Sequence, residues 1–353
     1  MSQTTTKLIN TPSHITPELL EGVVAANHGR VKQLDVPGIP KTPGAPGSGG
    51  ALVKTRLQPN KVGLVIGGVC GHEPIYSMLI GDNLADGAAC GSIYYVPDPP
   101  VIVATTQAVD QGLGVLYVYG NWRSNVDRFG KAKNIVAEGG IETREVRVWD
   151  DVASAPCNKI EQRGGIAGDM MVIKVAGAAT AQAKSLEEAY AITSRARDNT
   201  RSIAVVLSSG SIPGTGELLY QLPDGGEVEI GSKLHGQGAV LSHDAATADR
   251  IVESMMDQLL GEDLLAENDE VYLLINNLGC ATYMELLIAN RKVRQILRHR
   301  NVAVHQTVIG SYFTCQETAG MSITMMKLDE QLRQCVDAPA DSLGFAAVGR
   351  AQW

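Results

Sequence analysis

Apolar residues recur in this chain in two rhythms, and the alternation between them predicts an α/β architecture. Val62-Gly63-Leu64-Val65-Ile66, Ser202 to Leu207 and Val271 to Asn276 are continuous apolar runs bounded by glycine or polar residues. Such runs read as strands buried on both faces. Further strands are expected at Val101-Ile102-Val103, Gly114 to Tyr119, Glu142 to Trp149, Val228 to Ile230, Val302 to Ile309 and Ser322 to Leu328. Helical spacing falls between them, over Thr16 to His28, Phe129 to Glu138, Met170 to Ala179, Leu186 to Arg197, Ala246 to Leu260 and Ala281 to His299. Thr16 followed by Pro17 fits an N-cap with proline at the first helical position. Strands that alternate with helices imply a largely parallel sheet with helices on its faces. The whole reads as α/β, two domains with mainly parallel or mixed sheets. The expected division is 1–185 and 186–353, the C-terminal segment being free to pack back on the first domain.

Composition narrows the class of protein. The chain has 353 residues, enough for two domains, with 38 glycines and only 5 % aromatic residues. That balance suits many tight turns better than an aromatic-cored sandwich. A net charge of −8 argues against nucleic acid, which needs clustered Lys and Arg to displace counterions. The one basic cluster, Arg291 to Arg300, lies on a helical pattern and reads as a solvated face. Six scattered cysteines without a CxxC pair, no signal-like start and no long apolar run indicate a cytoplasmic chain with reduced thiols and no membrane contact. No His, Cys or carboxylate cluster has metal-ligand spacing.

The candidate chemistry lies in glycine-framed turns. Gly67-Gly68-Val69-Cys70-Gly71-His72-Glu73-Pro74 follows the first strong strand and presents a thiol, an imidazole and a carboxylate within four residues. Of seven histidines, only His72 and His235 are framed by glycines at the end of a β-like run. In open α/β sheets, ligands bind beyond the carboxyl ends of the strands. A neutral imidazole there serves as a nucleophile toward a carbonyl or as an acid/base near pH 7. A second glycine-rich segment, Arg163-Gly164-Gly165-Ile166-Ala167-Gly168, precedes a helical run.

These segments, in order, together with Lys7-Leu8-Ile9-Asn10, Gly130-Lys131-Ala132, Glu229-Ile230-Gly231, Asn276-Asn277-Leu278-Gly279 and Lys327-Leu328-Asp329, resemble the K (substrate-binding) subunit of dihydroxyacetone kinases over essentially the whole length. The resemblance implies a homodimer of the DhaK type that binds a small hydroxyketone. His235 would add to the substrate carbonyl as a hemiaminal. His72 and backbone amides around Gly67, Gly68 and Gly71 would hydrogen-bond the substrate. It also implies that the Mg-nucleotide sits on a separate L-type subunit, so this chain carries no cofactor of its own. The absence of a GxxxxGK[ST] phosphate loop agrees.

The sequence departs from that family where chemistry is expected. The family's Lys-Asn-Tyr-Thr-Gly-Asp reads Gly120-Asn121-Trp122-Arg123-Ser124-Asn125 here, so the lysine and the presumed general base are gone. Asparagine orients a hydroxyl but accepts no proton. Asp127 is the nearby carboxylate, Arg123 the nearby cation, and Asn121 a further polar candidate. His-Gly-Glu-Pro-Gly becomes His235-Gly236-Gln237-Gly238-Ala239, and Cys70 stands two residues from His72 as a candidate nucleophile. Three functions follow: a kinase subunit for dihydroxyacetone or a tetrulose, a diverged hydrolase or isomerase of a small carbonyl compound, and a ketone-sensing co-regulator.

Overall fold

The computed structural model describes residues 7–37, 39, 49–222, 228–231, 241–243 and 247–348. His235, and the segment Leu234 to Gly238 around it, lie outside the described residues.

In chain order the main elements begin with α1 (Ile15–Ala26), β1 (Val31–Leu34), β2 (Gly50–Lys54), β3 (Gly63–Cys70), the two-residue β4 (Gly81–Asp82) and β5 (Gly87–Ile93). There follow α2 (Pro99–Val109), β6 (Val115–Gly120), α3 (Arg123–Glu138), β7 (Thr143–Val148), α4 (Gly168–Gln182), α5 (Leu186–Asp198) and β8 (Thr200–Ser208). The rest comprises β9 (Val228–Ile230), β10 (Leu241–His243), α6 (Ala248–Leu260), β11 (Glu270–Asn277), α7 (Tyr283–His299), β12 (Ala303–Gly310), β13 (Ala319–Lys327), α8 (Glu330–Asp337), β14 (Ala340–Ser342) and β15 (Ala346–Ala347).

The chain divides into two compact units, but not by a single cut near residue 185. One unit takes Leu8–Val148, Asp169–Arg197 and the chain from Gln331 onward; the other takes Trp149–Gly168 and Asp198–Glu330. The first holds a six-stranded sheet of order β1-β2-β5-β3-β6-β7. Its β5, β3, β6 and β7 run parallel, and β1 and β2 are antiparallel additions at the edge. The second holds a six-stranded sheet of order β10-β9-β8-β13-β11-β12, in which only the β11–β12 pairing is parallel. Both sheets are therefore mixed.

Three segments differ from the sequence expectation. Val101-Ile102-Val103 is not a strand but the first half of α2. Asp98 is its N-cap, and Pro99-Pro100 preset the backbone of its first turn. Val101, Ile102, Thr105, Thr106 and Val109 are buried along it, a helical stripe that outweighs the strand preference of three β-branched residues. β3 does not end at Ile66 but continues through Gly67-Gly68 to Cys70. β5, Gly-Ala-Ala-Cys-Gly-Ser-Ile, carries almost no strand signal, yet it is buried between β2 and β3. Its small residues let α2 approach: a Cβ on Gly87 would lie 2.7 Å from Cγ2 of Thr105.

In the first unit Val65, Tyr117, Tyr119, Phe129 and Ala132 share one buried cluster. Phe129 stacks on Tyr119 with ring centroids 4.2 Å apart, which pins α3 onto the carboxyl end of β6. In the second unit Ile203, Leu273, Ile275, Ile323 and Met325 form the inner layer under α6 and α7. Two cations of the expected solvated face, Arg291 and Lys292 of α7, pair with Asp249 and Glu253 of α6.

Candidate functional site

The first unit opens where β3 and β6 part. The β3–β6 pairing stops at Ile66 with Val118, whereas β3 stays paired to β5 as far as Cys70 and β6 to β7 as far as Gly120. Beyond residue 66 the two central strands diverge at their carboxyl ends. The chain leaves β3 toward β5 on one side and builds β6 on the other, the switch of connection that makes a ligand crevice in parallel sheets.

Glycines set what fills this split. A Cβ on Gly68 would lie 2.3 Å from the Tyr76 ring, and one on Gly67 would lie 2.4 Å from the Ala89 carbonyl oxygen and 3.1 Å from Phe129. Both glycines therefore serve close packing of strand and ring. Tyr76 Oη donates to Oδ2 of the fully buried Asp169 at 2.6 Å. Asp169 borders Gly120, whose Cβ would stand 3.1 Å from that same oxygen. On the first turn of α3, Asn125 is 4 % exposed and its Nδ2 donates to the Gly120 carbonyl oxygen at 3.1 Å.

The turn after β3 is held from within. Gly71 has φ +111°, a conformation side chains rarely adopt, and its amide donates to both carboxylate oxygens of Glu73 at 3.0 and 3.1 Å. Burial raises the Glu73 carboxyl above its ordinary range, and the Gly71 amide opposes the shift. His72 is 3 % exposed, its ring edge against Tyr94 with centroids 5.5 Å apart. The hydrogen bond to Cys90, then burial and the nearby Glu73, push the Cys70 thiol well above its usual range. That direction disfavours the thiolate, the form in which a cysteine attacks.

The structure gathers Gly67, Gly68, Cys70, Gly71, His72 and Asn125 at the carboxyl ends of β3 and β6. Asn121 extends the β6–β7 pairing through its amide on the Val148 carbonyl oxygen (2.8 Å), and Arg123 opens α3 with an exposed side chain. Asp127 turns to the solvent side of α3 and pairs with Lys131 at 2.9 Å. Tyr76 and Asp169 were not legible as site residues. The only available signal was the acidic residue directly after the second glycine-rich segment.

That second segment, in the other unit, closes on itself. The buried Asp150 carboxylate accepts from the amides of Ile166 (2.9 Å) and Gly168 (2.8 Å) at the start of α4. A Cβ on Gly168 would strike it at 2.5 Å. The amides that a ligand would use are therefore occupied by the protein's own carboxylate. Among the described residues no group of three or more His, Cys, Asp or Glu is placed to hold a metal ion, and no helix is long and apolar enough to cross a membrane.

This arrangement defines a class. Residues 46–344 match the Dak1 domain, and the chain belongs to that family. Over 340 residues it is 34 % identical to the dihydroxyacetone-binding subunit DhaK of the PTS-dependent dihydroxyacetone kinase 2 of Listeria innocua, covering 96 % of this chain and 98 % of that one. It is also 34 % identical to the L-erythrulose kinase of Pectobacterium atrosepticum, where it spans 96 % of itself but only 56 % of that protein. Among solved structures, the dihydroxyacetone kinase of C. freundii superposes with a TM-score of 0.86 at 25 % identity, over 100 % of this chain and 62 % of that one.

Proposed function

We propose that this chain is the hydroxyketone-binding subunit of a ketose kinase, with dihydroxyacetone or a tetrulose as substrate. The observation that carries the reading is the end-to-end match to a subunit named for dihydroxyacetone binding, at 34 % identity over 98 % of its length. The crevice at β3 and β6 supports it: His72 follows β3 and Asn125 lies on the first turn of α3, two buried polar side chains of the kind that binding a compact polyol-like ketone calls for. His235 adds to the ketone carbonyl: the imidazole nitrogen forms a bond to carbon, and its proton passes to the carbonyl oxygen. Nothing leaves, so the adduct is reversible and selects ketones over polyols that lack a carbonyl. His72 and Asn125 orient the hydroxyls. The Mg-nucleotide rides on a separate L-type subunit that docks to deliver the phosphoryl group, and two copies of this chain form the working dimer.

Native mass measurement with dihydroxyacetone or L-erythrulose tests this reading. One ketose mass is expected to be gained without loss of water, reversed by dilution and abolished in His235→Ala. Addition of an L-type subunit and Mg-ATP then yields the phosphoester. An adduct without any phosphoester would instead favour the ketone-sensing role, and no adduct with any small ketose would sink both.

A further inference from the structure

The split between β3 and β6 holds a carboxylate that the binding reading leaves unused. Asp169 is completely buried and Tyr76 is 5 % exposed, and the two are joined at 2.6 Å. That spacing is typical of a hydroxyl donating to an ionised oxygen. The Tyr76 ring covers the face of Gly68 on one strand, and Asp169 borders Gly120 on the other. The Oη–Oδ2 bond therefore bridges the two diverging strand ends. A side chain on Gly68 would displace the ring, its Cβ lying 2.3 Å from it, and one on Gly120 would crowd the carboxylate at 3.1 Å.

Asn125 meets the same place from α3. Its Nδ2 is committed to the Gly120 carbonyl oxygen, whereas its Oδ1 is buried and has no hydrogen-bond partner among the described residues. A buried acceptor left open in this way offers a place for a donor, such as a substrate hydroxyl. An amide accepts that hydrogen bond but cannot take the proton. The nearest carboxylate in sequence, Asp127, is spent on Lys131 at the solvent face. The carboxylate beside Gly120 is Asp169.

We propose, resting on the ketose-kinase reading, that Tyr76 contacts the reacting hydroxyl of the bound hydroxyketone and relays its proton to Asp169. As the ketose O–H gives its proton to Tyr76 Oη, the phenol's own proton moves to Asp169 Oδ2. The ketose oxygen bonds to phosphorus while the bond from phosphorus to the donor oxygen breaks, and the leaving oxygen keeps that electron pair. Tyr76 ends unchanged and Asp169 ends as a neutral acid, which loses its proton after product departs. Tyr76 is the catalytic residue and Asp169 a positioning residue that acts through it. The pair stands in for a carboxylate on α3.

The test compares wild type with Tyr76→Phe, Asp169→Asn and the double variant Asp169→Asn/Asn125→Asp. Dihydroxyacetone is the ketose, and an L-type subunit with Mg-ATP is the donor. Both single variants are expected to keep the ketose adduct and KM, while kcat falls by about 10²-fold or more, the usual weight of general-base assistance. The double variant is expected to recover kcat at least about tenfold over Asp169→Asn, because it returns a carboxylate to the reacting hydroxyl. Single variants with wild-type kcat overturn the relay. So does loss of adduct and kcat together without recovery in the double variant, which marks a structural role. A wild type that forms neither adduct nor phosphoester overturns the ketose-kinase reading itself and the relay with it.

Discussion

Asn125 and Asp127 lie two residues apart on α3 and face opposite ways. Asn125 is buried against the Gly120 carbonyl, and Asp127 is half exposed in an i,i+4 pair with Lys131. A step of about 200° around the helix separates their side chains, so a carboxylate at 127 does not substitute for one at 125. Asp127→Ala is accordingly expected to change stability by less than about 0.5 kcal/mol, as exposed helix pairs do. Urea unfolding of the variant checks this, and a loss above about 2 kcal/mol would contradict the solvent-facing assignment.

The glycines of the crevice and of α3 respond oppositely to an added methyl. Gly68→Ala drives a Cβ to 2.3 Å from the Tyr76 ring and is expected to cost about 1–3 kcal/mol by overpacking. Gly130, inside α3, has nothing within 4 Å of its Cβ position, so Gly130→Ala is expected to stabilise by about 1 kcal/mol. Chemical denaturation of both variants measures the difference. Equal effects would refute the packing argument.

A buried ion cluster supports the second unit. Arg163, fully buried, makes two bonds to Glu262 at 2.5 and 2.8 Å, and Arg201 adds a third at 3.2 Å. Glu262→Ala strands two guanidinium groups away from water and is expected to cost about 3–5 kcal/mol. Calorimetry of the variant shows whether this transition falls, and a change below about 1 kcal/mol would mean that water enters the cluster.

Lys174 gives the first unit a pH signature. It is fully buried and donates to the Cys335 carbonyl oxygen at 2.6 Å, near the end of α8. Burial lowers its pKa from 10.5 to about 8, against the opposing pull of Cys335 and Asp337. Between those values the unfolded chain holds a proton that the folded chain does not, so stability rises with pH across that window. The gain amounts to about 3 kcal/mol and is expected to vanish in Lys174→Met. Denaturant titrations of both proteins from pH 7 to 11 check the difference; parallel curves would show that Lys174 stays charged.

Thiol labelling reports burial directly. Cys157 and Cys280 are exposed, and Cys70, Cys90, Cys315 and Cys335 are buried. Maleimide is expected to modify the first two in the native protein and the other four only on unfolding. Rapid native labelling of Cys70, read by peptide mass, would restore it as a nucleophile.

The sequence by itself determined the α/β class, most strands and helices, the family, and the glycine-framed turn that carries His72. Those features depend on local information: continuous apolar runs, helical spacing and short motifs in a fixed order. Even there, β5 and the first half of α2 were misread or missed, because burial between neighbours overrode residue preference. Tertiary structure alone decided how the chain is partitioned, since each unit collects segments far apart in sequence, and it alone parted β3 from β6 through their pairings with β5 and β7. It alone decided that Gly67 and Gly68 make room for neighbouring backbone and rings, that Asp150 fills the second glycine-rich loop, and that Cys70 is buried. It also brought Tyr76 and Asp169, 93 positions apart in the chain, to one hydrogen bond. No periodicity connects such residues, because their meeting depends on how strands diverge and not on their spacing.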